Sequence, residues 1–168
     1  MQEETVGLRE RPGSAQERLI PTLKDRAAAD DASPTPQDLE VQVPSTPHAL
    51  ADLARAIGDA GVSLEGGGMF APGTAHYLVS VPDASASASV IDAVRRAGAR
   101  SVRMNRVVLA PLDQETPGQL GALLTRLADA GVWVRTQYSD HAGALVLVVD
   151  AADFDAAHSI VASWESLR

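Results

Sequence analysis

Apolar residues recur along the chain with two periods, and the same order of segments occurs twice. Residues 39–43 alternate apolar with polar side chains, as a half-buried strand does. The stretch TPHALADLARAIGDAGVSL, residues 46–64, then places its leucines and isoleucine on one face of a helix. The stretch TPGQLGALLTRLADAGVWV, residues 116–134, repeats this pattern 70 positions later. The repetition predicts two copies of one structural unit.

The two repeats share the signals that begin and end their first helix. Pro47 and Pro117 stand in the first turn, where a missing N–H costs nothing. Gly61 and Gly131 stand where a left-handed C-terminal cap is favoured. Each helix is followed by a strand, a turn (APGT or DHAG), a second strand and a second amphipathic helix. Apolar positions of that last helix are Val90, Ile91, Val94 and Ala97 in repeat one, and Phe154, Ala157, Val161 and Trp164 in repeat two.

The later blocks of the two repeats align at a different spacing. YLVSVPDA, residues 77–84, resembles ALVLVVDA, residues 144–151. On this alignment repeat two is three residues shorter between its first helix and this block. A length change is best accommodated in a turn, so the alignment places a hairpin turn there.

Repeat one closes with a strand near residues 101–105, whereas only ESLR follows the last helix of repeat two. The order is βαββαβ, the split ferredoxin-like unit. We therefore predict an α+β fold of two such units, with antiparallel sheets and helices on one face. The second unit lacks a clear final strand. Each unit has about 65 residues and is marginal alone, so the two should pack on each other. The stretch ALVLVVD is apolar on both faces, and its second face must also be covered.

The first 37 residues differ from the rest of the chain. They are polar and proline-containing, with one short apolar cluster at Leu19, Ile20 and Leu23, and DDASPTP resembles a linker. We predict a mobile tail over residues 1–37 that is dispensable for folding, with a docking arm using the apolar cluster as the alternative. The predicted domains then cover residues 38–105 and 106–168.

The segments LDQETPGQLGALLTRLADAGVWV and GVSLEGGGMF resemble the ACT domain, and two in succession resemble small bacterial tandem-ACT proteins. The resemblance covers residues 38–164. It implies a regulatory module that binds a small ligand, often an amino acid, at an interface between paired domains.

The candidate ligand site lies at the start of the first helix of repeat two. Unpaired helix amides and the helix dipole favour a carboxylate there, and Gly118 lets a ligand approach the backbone. Glu115, where the family usually has Asp, or Asp113 would receive the ammonium group. Plain helix capping is the alternative explanation of these residues. The full candidate set is Asp113, Glu115, Thr116, Pro117, Gly118, Gln119, Leu120 and Trp133.

Repeat one departs from the family pattern at the same positions. Ser45 stands at the position of the acidic residue and His48 at the position of the glycine. Repeat one can therefore be a structural unit without a ligand. Trp133 either covers a ligand pocket or packs against the other domain, and we favour packing. The glycines of EGGGMF either leave space for a ligand or another backbone, or form a bulge, which we favour slightly. A possible second site comprises Ser45, His48, Ser63, Gly66 and Gly67.

Composition narrows the function classes. The 168 residues carry a net charge of -8, which disfavours nucleic acid and anionic membrane surfaces as partners. Cysteine is absent, which excludes thiolate chemistry. The four histidines lack metal-ligand spacing, and the Ser-Asp-His run of YSDHAG falls in a predicted turn. We expect no metal, no cofactor and no membrane segment, and a cytoplasmic location by default.

Two hypotheses for function therefore remain, of which we predict the first and keep the second as the alternative. The first is a non-catalytic regulator that binds an amino acid and forms a homodimer. The second is a ligand-free assembly module that pairs with itself or with a partner enzyme. The ETPG motif, residues 115–118, favours the first, and the departures in repeat one favour the second. An enzyme is disfavoured because no residue is indicated as nucleophile or base.

Overall fold

The structure is a computed structural model that describes residues 34–113 and 115–165. Residues 1–33 of the predicted tail lie outside the described residues. Domain 1 contains β1 (Thr35–Gln42), α1 (Ala49–Asp59), β2 (Leu64–Ala71), β3 (Thr74–Val81), α2 (Ala84–Arg96) and β4 (Ser101–Arg106). Domain 2 contains β5 (Val108–Pro111), α3 (Gln119–Asp129), β6 (Val134–Ser139), β7 (Ala144–Val149), a 3₁₀ turn (Ala151–Asp153) and α4 (Phe154–Glu165).

Each domain forms one antiparallel sheet. Domain 1 has the strand order β2-β3-β1-β4, and domain 2 has the order β5-β7-β6. These orders are those of the split ferredoxin-like unit, and they confirm the predicted fold class. No fourth strand forms among the described residues of domain 2, so β5 is left at the sheet edge. In domain 1, β1 begins at Thr35, earlier than the expected boundary at Asp38.

The glycines after the first helices adopt the predicted left-handed conformation. Gly61 has φ 76° and Gly131 has φ 77°. The N–H of the next residue then reaches back to the last helical turn: Val62 donates to the Ile57 carbonyl at 3.2 Å. Because only glycine adopts this φ without strain, it ends both helices at the same point and turns the chain back toward the sheet.

The helices pack on one face of each sheet, as predicted. Leu53 and Ile57 of α1 are buried against β1, and Leu123 and Leu127 of α3 occupy the same positions in domain 2. The leucines in the first turns are not buried as the predicted helix face requires: Leu50 is 39% exposed and Leu120 is 37% exposed. Each is the second residue of its helix, and neither belongs to the buried cluster of its domain.

The hairpin turns lie where the sequence places them, but the predicted shortening of the second repeat is wrong. Gly73 and Gly143 close the two turns with φ 79° and 82°, at the same spacing as the helix-ending glycines. The apolar sequences of β3 and β7 can be aligned at several offsets. An alignment that is wrong by an odd number of residues pairs side chains from opposite faces of the sheet. The sequence alignment pairs Leu78, which faces the other sheet, with Leu145, which faces the helices.

The two sheets pack face to face through the sides that carry no helices. Leu78 of domain 1 contacts Tyr138, Val146 and Val148 of domain 2, and Val107 and Leu109 complete the cluster. All six residues of β7 are buried. This confirms that the second face of ALVLVVD is covered, and that the domains form a closed pair. None of the described helices has the length and apolar character needed to cross a membrane.

Candidate functional site

The loop between β5 and α3 holds the predicted ligand residues in a defined turn. The Asp113 carboxylate accepts hydrogen bonds from the Glu115 N–H at 3.0 Å and from the Thr116 hydroxyl at 2.6 Å. The Gln119 side-chain carbonyl accepts one from the Asp113 N–H at 2.9 Å. Asp113 and Gln119 are therefore engaged within the loop itself, and the structure assigns them a supporting part in its shape.

Gly118 is the residue before the first turn of α3, and its backbone is open to solvent. Its φ is 89°, and a Cβ built on it would meet no atom within 4 Å. Glu115, Thr116 and Pro117 are also exposed. An anion can therefore approach the amides at the start of α3, where the helix dipole favours negative charge. Glu115 is the exposed acid beside this position.

Trp133 lies at the opposite end of domain 2 from Gly118. β5 and β6 both run antiparallel to β7, so they run parallel to each other. Gly118 comes after the end of β5, whereas Trp133 comes before the start of β6. The Trp133 side chain is 70% exposed, so the favoured expectation that it packs against the other domain is wrong within one chain. A single ligand cannot touch both residues in one chain.

The equivalent helix start of domain 1 lacks the features of the site in domain 2. His48 occupies the position of Gly118 with a right-handed backbone, φ −90°, and its side chain makes no capping hydrogen bond. Ser45, His48 and Ser63 are all exposed. No acidic side chain replaces Glu115 at Ser45.

The glycines of EGGGMF serve the contact between the domains. Gly66 forms a backbone bridge with Asp140, and a Cβ on Gly66 would lie 2.8 Å from the Asp140 Cα. Gly67 has φ 115°, and the shift in pairing register between β2 and β3 lies just before this pair of glycines, between Leu64 and Gly66. Both the bulge and the close backbone approach expected from the sequence are present. The backbone of Asp140 occupies the space that a ligand would need at Gly66.

A cluster of polar side chains lies between the two sheets, and sequence reasoning missed it. We call it the junction cluster; its members are Asp38, Glu40, His76, Asn105, Arg135 and Tyr138. Asp38 is fully buried and accepts hydrogen bonds from the Tyr138 hydroxyl at 2.8 Å and from the Asn105 amide at 2.9 Å. The Nδ1 atom of His76 lies 3.0 Å from Asp38 Oδ2. Because Tyr138 belongs to domain 2, Asp38 links the two domains.

A second link of the junction cluster is an ion pair across the domain boundary. Arg135 Nη2 lies 2.7 Å from Glu40 Oε2, and Asn105 donates to the same oxygen at 3.2 Å. Phe70 covers one side of the cluster, with its ring 5.7 Å from that of Tyr138 and 5.8 Å from that of His76. These contacts fix the relative orientation of the two sheets.

Two members of the junction cluster have displaced pKa values. Burial, followed by the negative charge of Asp38 and the hydrogen bond to it, raises the pKa of Tyr138 far above its usual range. The phenol therefore remains a hydrogen-bond donor. Burial alone would raise the pKa of Glu40, but the hydrogen bonds from Asn105 and Arg135 and the charge of Arg135 outweigh it and lower that pKa.

The junction cluster also contains the described residues that come nearest to a metal site. Ligand atoms of Asp38, Glu40 and His76 lie within 4.8 Å of one another, although their sequence spacing gives no metal signature. The protein itself already uses these atoms. Glu40 pairs with the Arg135 cation, and the Asp38 oxygens accept three side-chain donors. The arrangement is that of a domain contact.

Replacing Glu40 with glutamine should lower the free energy of unfolding at pH 7 by about 1 kcal/mol, because a charge-assisted contact with Arg135 is lost. Because the pKa of Glu40 is lowered in the folded state, ionised Glu40 stabilises the fold at pH values above the pKa of an unfolded glutamate, about 4.3. This stabilisation is lost as the pH falls below that value and through the folded-state pKa. The difference between parent and variant should therefore shrink in urea melts at pH 3. Glu165→Gln, at an exposed position, is the control, and an equal loss in both variants would contradict this assignment.

Two open grooves lie on domain 1, and neither includes a predicted ligand residue. One, of about 410 Å³, lies between the start of β1, the end of β3 and α2. The other, of about 590 Å³, lies between α1 and α2. The candidate site at Gly118 is thus an exposed surface within one chain.

No protein-family model matches the sequence, and no curated protein matches it. Solved structures share the fold. Aspartokinase alpha and beta subunits are 15% identical with TM-score 0.54, covering 78% of this chain and 90% of that chain. The ligand-free regulatory subunit of aspartate kinase from Thermus thermophilus is 14% identical with TM-score 0.51, covering 77% and 91%. A protein from Bacteroides thetaiotaomicron is 16% identical with TM-score 0.55, covering 81% and 92%. These likenesses confirm the paired ACT-like fold.

Proposed function

We propose that this chain is a cytoplasmic, non-catalytic regulatory protein that binds an amino acid between two copies of itself. The observation that carries the proposal is the helix start at Gly118, which is left-handed, exposed and open to a ligand. The fold it shares with solved regulatory subunits of aspartate kinase supports a regulatory role. The buried polar groups of the junction cluster are engaged with one another, which favours a structural use over catalysis.

The chemistry of an amino acid fits the residues around Gly118. Its carboxylate would bind the amides at the start of α3, where Gly118 lets it approach closely. Its ammonium group would pair with Glu115, since Asp113 is engaged in the loop. Thr116, Pro117 and Gln119 shape the turn, and the exposed Leu120 would contact the ligand side chain.

A second subunit is needed to enclose this surface. Trp133 is 70% exposed, and large exposed aromatic side chains are enriched at protein interfaces. β5 also leaves an open edge, which favours pairing with another chain. We infer a homodimer in which Trp133 of one subunit covers the Gly118 surface of the other. Domain 1, with His48 at the equivalent position, would have a structural part.

The dimer and its ligand can be tested with the two tryptophans. Light scattering should give twice the chain mass of 17.5 kDa. Titration with single amino acids should change tryptophan emission in the parent and in Trp164→Phe, and leave it unchanged in Trp133→Phe. Trp164 is a suitable control because it lies on α4 beside Arg126, whose guanidinium is 5.2 Å from its ring. A signal that persists in Trp133→Phe and disappears in Trp164→Phe would place the ligand elsewhere.

The second candidate function is a ligand-free assembly module. The open edge of β5 favours it, because a strand of another chain can add there without any small molecule. A dimer that binds no amino acid at millimolar concentration would support this candidate, with a partner enzyme as the next binding partner to seek. A thermal-shift screen separates the two, because ligand at a hundredfold its Kd stabilises by about 2.7 kcal/mol.

A further inference from the structure

The groove of about 410 Å³ on domain 1 has an apolar lining and lies where β1 begins. Its apolar wall is formed by Val81, Ile91 and Met104. Thr35, the first residue of β1, also lines it. Asp83 stands exposed at its rim, where its carboxylate caps α2 by accepting the Ala86 N–H at 2.8 Å. The groove therefore offers an apolar surface with one acidic group.

The same corner of domain 2 is filled by the protein's own side chains. There, the Arg106 guanidinium lies 3.5 Å from the centre of the Phe154 ring, at the first residue of α4. In domain 1, Gln37 corresponds to Arg106, because Gln37 lies two residues before Leu39 and Arg106 two residues before Val108, which pair with the equivalent residues Tyr77 and Leu147. Ala84 is the first residue of α2. The side chains at this corner are smaller in domain 1 than in domain 2. The groove is therefore open in domain 1, whereas the equivalent surface of domain 2 is filled.

The chain itself supplies a segment that fits this groove. The 33 residues before Pro34 lie outside the described residues, and Pro34 joins them to Thr35 at the groove. They contain one apolar cluster, Leu19, Ile20 and Leu23. About a dozen residues separate Leu23 from Thr35, and such a length can span up to ~40 Å when extended. This reach is ample for the segment to fold back onto the groove.

We propose that the segment Arg18–Lys24 docks in the groove of its own domain 1. Its leucines and isoleucine would cover Val81, Ile91 and Met104. Arg18 and Lys24 stand at the two ends of the segment, next to Glu17 and Asp25, and one of the two cations would pair with Asp83 at the rim. A short tether gives an effective concentration on the order of 1 mM, so an intrinsic Kd of ~0.1 mM suffices to keep the segment docked about nine-tenths of the time.

Amide NMR spectra of the full chain test this directly. The double variant Leu19→Asp/Leu23→Asp should shift the amide signals of groove residues Ala88, Ile91 and Met104. Leu8→Asp, which changes a leucine nearer the N-terminus, should leave them in place. Conversely, Ala88→Asp on the groove wall should shift the amides of residues 19–23, while Ser85→Asp on the same helix should not. Both helix positions are exposed, so folding is retained.

Unchanged groove amides in the double variant would overturn the proposal, as would equal shifts in Leu8→Asp. Shifts in the parent that vary with protein concentration would also overturn it, because they would show the segment docking on a second molecule. Groove shifts in Leu19→Asp/Leu23→Asp, together with shifts at residues 19–23 in Ala88→Asp, support docking within one chain.

Discussion

Asp38→Ala is expected to lower the free energy of unfolding by about 3–5 kcal/mol, the range found when one partner of a buried charged network is removed. Asp38 is fully buried and accepts hydrogen bonds from Tyr138 and Asn105. Alanine leaves the buried Tyr138 hydroxyl and the buried His76 ring without their acceptor, whereas Asn105 keeps its contact with Glu40. Such unsatisfied groups cost about 1–3 kcal/mol each. The loss is a large part of the 5–15 kcal/mol that typically stabilises a domain.

Urea denaturation measures this loss from the shift of the midpoint. Asp92→Ala is the matched control, since its exposed carboxylate lies 3.8 Å from Arg95, a contact worth well under about 1 kcal/mol. Tyr138→Phe should cost less than Asp38→Ala, because it removes one donor and leaves Asp38 with the others. An Asp38→Ala protein as stable as Asp92→Ala would show that the junction cluster contributes nothing to domain pairing.

Local patterns predict the elements and their order because those depend on neighbours along the chain. Helical spacing at Leu53 and Ile57 places α1, and the left-handed Gly61 and Gly131 end α1 and α3 where the sequence indicates. The two-sided apolar strand 144–149 correctly requires cover on its second face. These features need no knowledge of which surfaces meet.

The junction cluster was not predictable in the same way. Asp38 and Glu40 alternate with apolar residues on β1, and such polar positions ordinarily face solvent. They are covered because the second sheet packs on that face, which is a property of the pair of domains. A signal was present: β1 and β3 pair so that Glu40 lies opposite His76, and both share the face that carries Leu78 and Asp38. Combining that register with the need to cover β7 would have placed the polar groups between the sheets.

The candidate ligand site was only partly predictable for a related reason. The glycine and proline of the helix start identify an open set of amides at Gly118, and the structure shows this start exposed. Trp133 was expected beside a pocket or against the other domain, yet one chain leaves it in solvent. Its contact depends on a second subunit, and helical or strand periodicity carries no information about that contact.

The Gly118→Asn variant should weaken amino-acid binding at least ~10-fold, about 1.4 kcal/mol. Gly118 has φ 89°, and asparagine tolerates a left-handed backbone better than other side chains. Folding should therefore be retained while the new side chain blocks the approach to the α3 amides. Gly61→Asn is the matched control, because Gly61 has φ 76° at the end of α1 in domain 1, away from the proposed site. Both variants carry a similar backbone cost, so only the position of the side chain distinguishes them.

Titration calorimetry of the dimer with the amino acid found in the thermal-shift screen, carried out on the parent, Gly118→Asn and Gly61→Asn, tests the proposed site most directly. We expect saturable binding in the parent and in Gly61→Asn, and at least ~10-fold weaker binding in Gly118→Asn. Equal affinity in Gly118→Asn and the parent, or no heat of binding from any amino acid at millimolar concentration, would contradict an amino-acid site at the start of α3.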